Sequence, residues 1–123
     1  MSGQRVTCEP ITKRPSEVLY IQLDMTLYGL STPELLTGDP VIVEIDTDDF
    51  TLGNEQVNTA TFLNRRGKIV AVGKGIQFTI AGGNSGGGLD SQGNYEISAS
   101  CGSNGTPAQY LSVVIPIIVS DDD

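Results

Sequence analysis

The sequence predicts an all-β domain: an Ig-like β-sandwich with a Greek-key path through about seven or eight short antiparallel strands. Three observations predict it. Apolar and polar residues alternate at period two in several separate stretches, glycine and proline bound those stretches, and no stretch sustains a helical period.

Residues 1–14 come first, as an N-terminal arm or short edge strand. The first confident strand runs from Val18 to Leu27, where Leu19, Ile21, Leu23, Met25 and Leu27 share one face and Gln22, Asp24 and Thr26 the other. Ser31-Thr32-Pro33-Glu34-Leu35-Leu36 has a hydroxyl cap and a proline suited to one helical turn, which Gly38 ends. After a Gly38-Asp39-Pro40 turn, Val41 to Ile45 reads as a strand. Val57 to Leu63 passes through Asn64-Arg65-Arg66-Gly67 into Lys68 to Val72 as a hairpin. Ile76, Phe78 and Ile80 alternate with polar neighbours, as do Tyr95, Ile97, Ala99 and Cys101. The last strand sets Leu111, Val113, Ile115, Ile117 and Val119 on one face. The shared phase predicts a core containing Leu19, Leu23, Ile80, Ile97, Val113 and Ile115. The sandwich thus spans 15–120, and 121–123 form an acidic tail. There is no tryptophan, and the cysteine spacing does not suit an immunoglobulin inter-sheet bridge, so "Ig-like" describes architecture only.

A chain of 123 residues is one domain, able to bury about two-thirds of its unfolded surface. Fifteen acidic against seven basic residues give net charge −8, which disfavours a broad nucleic-acid-binding surface. Five of the cations fall in two runs, Lys13-Arg14 and Arg65-Arg66-Gly67-Lys68, read as solvated turns or as docking points for an acidic partner. Cys8 and Cys101 are too few for a disulfide scaffold and read as reduced, independent thiols, Cys101 in phase with the core. Met1 to Arg5 lacks the apolar region of a signal peptide, which predicts synthesis in the cytoplasm. The longest apolar run, Val113 to Val119, is far short of the roughly 18 residues of a membrane span.

Gly83-Asn84-Ser85-Gly86-Gly87 resembles the nucleophile loop of trypsin-like proteases. The chain has no histidine, however, and Lys13, Lys68 and Lys74 stand in contexts that predict exposure rather than a lowered pKa. No catalytic residue is therefore expected, and Ser85 is read as a turn residue. Asp46-Thr47-Asp48-Asp49 departs from the calcium-loop pattern at Phe50 and Thr51, and no cysteine or histidine cluster has zinc spacing. Gly82 to Gly88 lacks the Gly-Lys-Ser/Thr ending of a phosphate loop, so neither metal nor cofactor is expected.

From Ile11 onward the chain resembles the fibre-tail adaptors, a family of small phage tail proteins. The likeness lies in Lys13-Arg14-Pro15-Ser16-Glu17 leading into Val18 to Leu27, in Gln77-Phe78-Thr79-Ile80-Ala81-Gly82-Gly83, in Tyr95-Glu96-Ile97 and in Leu111 to Val119. Two features depart from the family: Gly87 to Asn94 lengthens the bend, and an early tryptophan position holds another residue. The resemblance implies a non-enzymatic structural protein of a tailed-phage virion, an adaptor joining tail and fibre components. Its partners would be other virion proteins, met as a symmetric homo-oligomer and without nucleic acid or membrane. Capsid decoration, clamping shell subunits as cement, is the alternative within that class. A carbohydrate-binding module is a poorer fit, because four tyrosines, three phenylalanines and no tryptophan leave little stacking surface. The residues expected to touch a partner are Arg5, Lys13 and Arg14 in the arm and Asn84 and Ser85 in the loop.

Overall fold

Two sheets face each other across one apolar core in the computed structural model, which describes residues 5–7 (backbone path only) and 10–121. The strands are β1 (Arg5–Thr7), β2 (Ile11–Lys13), β3 (Val18–Asp24), β4 (Leu36–Glu44), β5 (Phe50–Val57), β6 (Phe62–Leu63), β7 (Ile69–Val70), β8 (Gly75–Gly82), β9 (Asn94–Ser103) and β10 (Tyr110–Val119). In the first sheet β10 lies between β9 and the parallel pair β1 and β2, and β4 flanks β9. The second sheet has the order β3-β8-β5, and β6 and β7 form a separate hairpin. The chain changes sheet between β2 and β3, β3 and β4, β4 and β5, and again between β8 and β9. This path makes an Ig-like Greek-key sandwich, as the alternation predicts. Among the described residues no helix is long and apolar enough to cross a membrane.

Ile21, Leu23, Ile76, Phe78 and Ile80 project from the second sheet to meet Tyr95, Ile97, Ala99, Val113, Ile115 and Ile117 from the first. Phe50 and Tyr95 stack at a tilt across the layers, with ring centroids 4.6 Å apart. Of the six residues expected in the core, five are buried and Leu19 packs half-buried at its margin. Pro116 stands in β10 between Ser112–Val114, paired with β1, and Ile117–Val119, paired with β2. A residue without an N–H fits where one parallel partner gives way to the next.

Four local expectations need correction. β3 stops at Asp24, whose carboxylate accepts from the Thr26 amide at 3.0 Å and starts a 3-10 turn over Met25–Tyr28. That turn breaks the alternation, so Leu27 faces solvent at 46 % exposure. Ser31 to Glu34 forms a β-turn, closed by Glu34 N–H on the Ser31 carbonyl at 3.0 Å, and not a helical turn, and Leu36 already opens β4. Gly38-Asp39-Pro40 lies inside β4 as an irregularity in its pairing with β9, so the strand begins five residues early. Finally, β5 has no counterpart in the sequence reading beyond its last residue, Val57. It is mostly polar, pairs only with β8, and is interrupted by a register shift at Gly53–Gln56 with Asn54 at φ 57°. Of the hairpin expected over Val57–Leu63 and Lys68–Val72, only the pairs Phe62–Val70 and Leu63–Ile69 form, and Val57 belongs to β5.

Candidate functional site

The loop from Gly82 to Gly93 crosses one end of the sandwich, where it meets β2, the 46–49 turn and the end of β10. Val119 N–H donates to the Gly93 carbonyl at 2.7 Å, and Ser120 N–H donates to the Lys13 carbonyl at 3.0 Å. Gly93 has φ 85°, and a Cβ there would sit 2.2 Å from the Val119 carbonyl oxygen. Gly87 is required for a different reason: its Cβ would fall 2.7 Å from the Tyr95 hydroxyl. That hydroxyl is the anchor beneath the loop. It donates to Asp49 Oδ2 at 2.6 Å and accepts from the Asn84 N–H at 3.1 Å. Burial first, then its bond to Asp49, pushes the Tyr95 pKa up to about 12.

The acidic 46–49 turn is organised from within. Glu44 accepts from the amides of Asp49 (2.8 Å) and Phe50 (2.9 Å) and from the Thr47 hydroxyl. Among the described residues no group of three or more His, Cys, Asp or Glu is placed to hold a metal.

Asn84 is exposed, and its Oδ1 accepts from the Gly86 amide at 2.9 Å. Ser85 is half-buried, and its hydroxyl donates to the Asp121 carboxylate. A carboxylate partner can orient that hydroxyl, but at neutral pH it is a poor acceptor for the full proton transfer that attack requires. Lys13 is no substitute base. Its ammonium donates to the carbonyls of Gly82 (2.6 Å), Arg14 (2.8 Å) and Pro15 (3.4 Å), a role that needs its protons. A serine-directed fluorophosphonate is accordingly expected to leave the protein unlabelled, with Ser85→Ala indistinguishable from it. Stoichiometric labelling lost in Ser85→Ala would establish a nucleophile.

Lys13 corrects a sequence expectation. It was expected to be exposed, yet it is 0 % exposed, because the sandwich closes over its stem and supplies carbonyls to its tip. Its charged group is turned inward onto those carbonyls. Lys74 also departs from the expected exposure: it is half-buried, its ammonium donating to the carbonyls of Thr32 and Glu34. Arg14 is exposed, with its amide held by Glu17 Oε1 at 2.7 Å. The Arg5 side chain and Cys8 lie outside the described residues. Cys101 is a free, buried thiol, and burial pushes its pKa up. The fold therefore gathers Lys13, Asn84 and Ser85 at one end, although Lys13 and Gly82 are 69 positions apart.

Two features escape the sequence reading. The first is Glu34, buried between the β3–β4 and β9–β10 connections. Its carboxylate accepts from the Ser31 hydroxyl and amide (the latter at 3.0 Å), the Ser103 hydroxyl at 2.7 Å and Gln109 Nε2 at 2.9 Å. The Ser31 hydroxyl, then that of Ser103, draws its pKa from the ordinary 4.5 down to about 2. A carboxyl depressed in the folded state stabilises fully above its unfolded pKa, and that contribution is lost as pH falls through the folded one. The urea midpoint is therefore expected to decline between pH 4.5 and 2, and Glu34→Gln to flatten that part of the decline. The signal was present as Ser31-x-x-Glu34, a helix-capping spacing used here to close a turn.

The second is a groove of about 840 Å³ where the edges of β2 and β3 diverge. The β6–β7 hairpin forms its end wall through Leu63, Arg65 and Arg66. Asn64 Nδ2 donates to Asp24 Oδ2 at 2.9 Å, tying the hairpin to the end of β3. Both arginines are exposed, so the second basic run stands beside this groove rather than at the loop end.

No family model matches the chain, and no curated protein matches it. Solved structures do match over nearly its whole length. Protocadherin gamma C5 EC1-3 aligns at 13 % identity and TM-score 0.41, covering 100 % of this chain and 33 % of that one. Protocadherin gamma B2 extracellular cadherin domains 1-5 aligns at 11 % and 0.40, covering 98 % and 19 %. The protocadherin gamma B4 extracellular domain gives 12 % and 0.38, covering 98 % and 16 %. This chain spans a third or less of each of those chains. Likeness at this level identifies neither a family nor a function, and the sandwich assignment rests on strand order and register.

Proposed function

We propose that this chain is a non-enzymatic structural protein of a tailed-phage virion, an adaptor joining tail and fibre components through surface contact. The observation that carries the non-catalytic part is the use made of the polar groups around Ser85. Asn84, Tyr95, Asp49 and Lys13 bind one another or the backbone and so hold the loop in shape. The placement in a phage particle comes from the sequence resemblance to fibre-tail adaptors. Modest contacts multiplied over symmetric copies would suffice for such a role, because linked sites gain avidity without new chemistry.

The test is quantitative mass spectrometry of purified particles, intact and after separation of tails from heads. The adaptor reading expects the protein in the tail fraction, at a copy number comparable to the tail proteins. Its recovery with the shell at the abundance of capsid subunits would replace the adaptor by a decoration protein. Its absence from particles would end the virion reading.

A further inference from the structure

The geometry points to the outer face of the first sheet as the surface on which two copies of this chain pair, sheet against sheet. β9 and β10 turn alternate residues to the core and the others outward, and β4 does so beside them. The outward set is nearly free of charge, on a chain whose charged residues make up 18 %. Val43, Ser98 and Val114 stand side by side across the three strands, and Val41, Ser100 and Ser112 form the next row. Pro116 and Ile118 continue the face along β10, and among the described residues at these paired outward positions Glu96 is the charged one. β1 adds Arg5 and Thr7 at the next register positions, beside Ser112 and Val114. The outer face of the second sheet differs. Gln22, Gln77 and Gln56 lie side by side across it, an amide surface suited to water.

The exposures describe the relief of this face. Val41 (50 % exposed) and Val43 (48 %) stand proud on β4, whereas Ser100 (8 %) and Val114 (6 %) lie low beside them. Ser100 Oγ donates to Ser112 Oγ at 2.9 Å, so the floor of this trough is bonded within the sheet and loses little when water leaves it. A ridge beside a trough is its own complement. Under two-fold symmetry the valines of each copy enter the trough of the other, as side chains of stacked sheets interdigitate. A second copy is therefore the occupant. A charged partner would be met by opposite charge and a small ligand by a pocket, and the outward rows provide neither. Two chains of net charge −8 repel over most of their surfaces and meet at least cost where carboxylates are fewest. The area is adequate as well. β9 and β10 are ten residues long, and with their flanking strands about 4.8 Å apart they present roughly 600 Å² per copy, on the order of 1,200 Å² in total, the lower end of the range for specific pairs. This inference names the surface on which symmetric copies meet and rests on the proposed structural role. The two fail separately, because association in solution does not depend on where the chain sits in a particle.

The test is sedimentation velocity of the full chain over a range of concentrations, with thiol alkylation to locate the contact. The native chain is expected to pass reversibly from monomer to dimer, more readily as salt screens the like charges. Val43→Glu is expected to weaken the dimer at least about tenfold, because pairing would bury a carboxylate. Val18→Glu, at an exposed position on the outer face of the other sheet, should leave it nearly unchanged. Location is read separately from Val43→Cys under reducing conditions. Its rate of reaction with iodoacetamide, followed at that peptide by mass spectrometry, should fall as protein concentration rises through the dimer range, while that of Val18→Cys should not. Val43→Cys changes little in size, so it decides the matter even if Val43→Glu fails to fold. A chain that stays monomeric to about millimolar concentration would overturn the proposal. So would a dimer that survives Val43→Glu, or a Val43→Cys rate that does not change with concentration.

Discussion

Phe78→Ala is expected to lower the stability of the domain by about 3–5 kcal/mol, a large part of the roughly 5–15 kcal/mol that such domains possess. Phe78 lies in β8, the middle strand of the second sheet, paired with Ile21 and fully buried. Truncation removes the ring from the centre of the sandwich, where strands on both sides hold the backbone in place and limit collapse into the gap. The urea midpoint should fall with little change in slope, because the surface exposed on unfolding hardly alters. Leu27→Ala is the matched control. The alternating pattern would give Leu27 the same importance, but its side chain faces solvent on the 3-10 turn, and its loss should cost no more than about half a kcal/mol. Equal losses at the two positions would mean that the first strand continues through Leu27.

Lys13→Glu is expected to be as damaging, of order 3–5 kcal/mol, because it leaves a buried charge with no compensating partner. The native ammonium donates to three carbonyl oxygens, and a carboxylate in its place would face the same oxygens with negative charge. Lys13→Met keeps the stem and removes the charge, so the remaining loss is that of unsatisfied carbonyls, about 1–3 kcal/mol. Arg14→Glu, one residue along and exposed, should shift stability by no more than about half a kcal/mol. Exchange of the Ser120 amide, bonded to the Lys13 carbonyl, should quicken in Lys13→Glu well before it does in Arg14→Glu. Similar behaviour of the two variants would place Lys13 at the surface.

The long strands were legible because burial on one face writes a period of two into the residues. β8, β9 and β10 carry that pattern almost without exception and sit at the centre of their sheets. β5 was illegible for the corresponding reason. It is an edge strand, largely wet, and its Gly53-Asn54-Glu55 stretch reads as a turn until β8 supplies a partner. The glycine loop announced itself as a bend, but composition does not say that Gly87 must make room for the Tyr95 hydroxyl.

By itself, then, the sequence determined the all-β class, the central strands, the face that most of their residues bury, and the want of an imidazole for Ser85. These are local properties, written in alternation and residue type. Tertiary structure alone decided that Lys13 is interior, that Glu34 ties two connections together, and that Arg65 and Arg66 stand at the end of a groove beside β3. Each depends on groups brought together from distant parts of the chain, 69 positions apart for Lys13 and Gly82 and for Glu34 and Ser103. A side chain's local pattern records which way it points, while its burial and charge environment are set by whatever the fold packs against it.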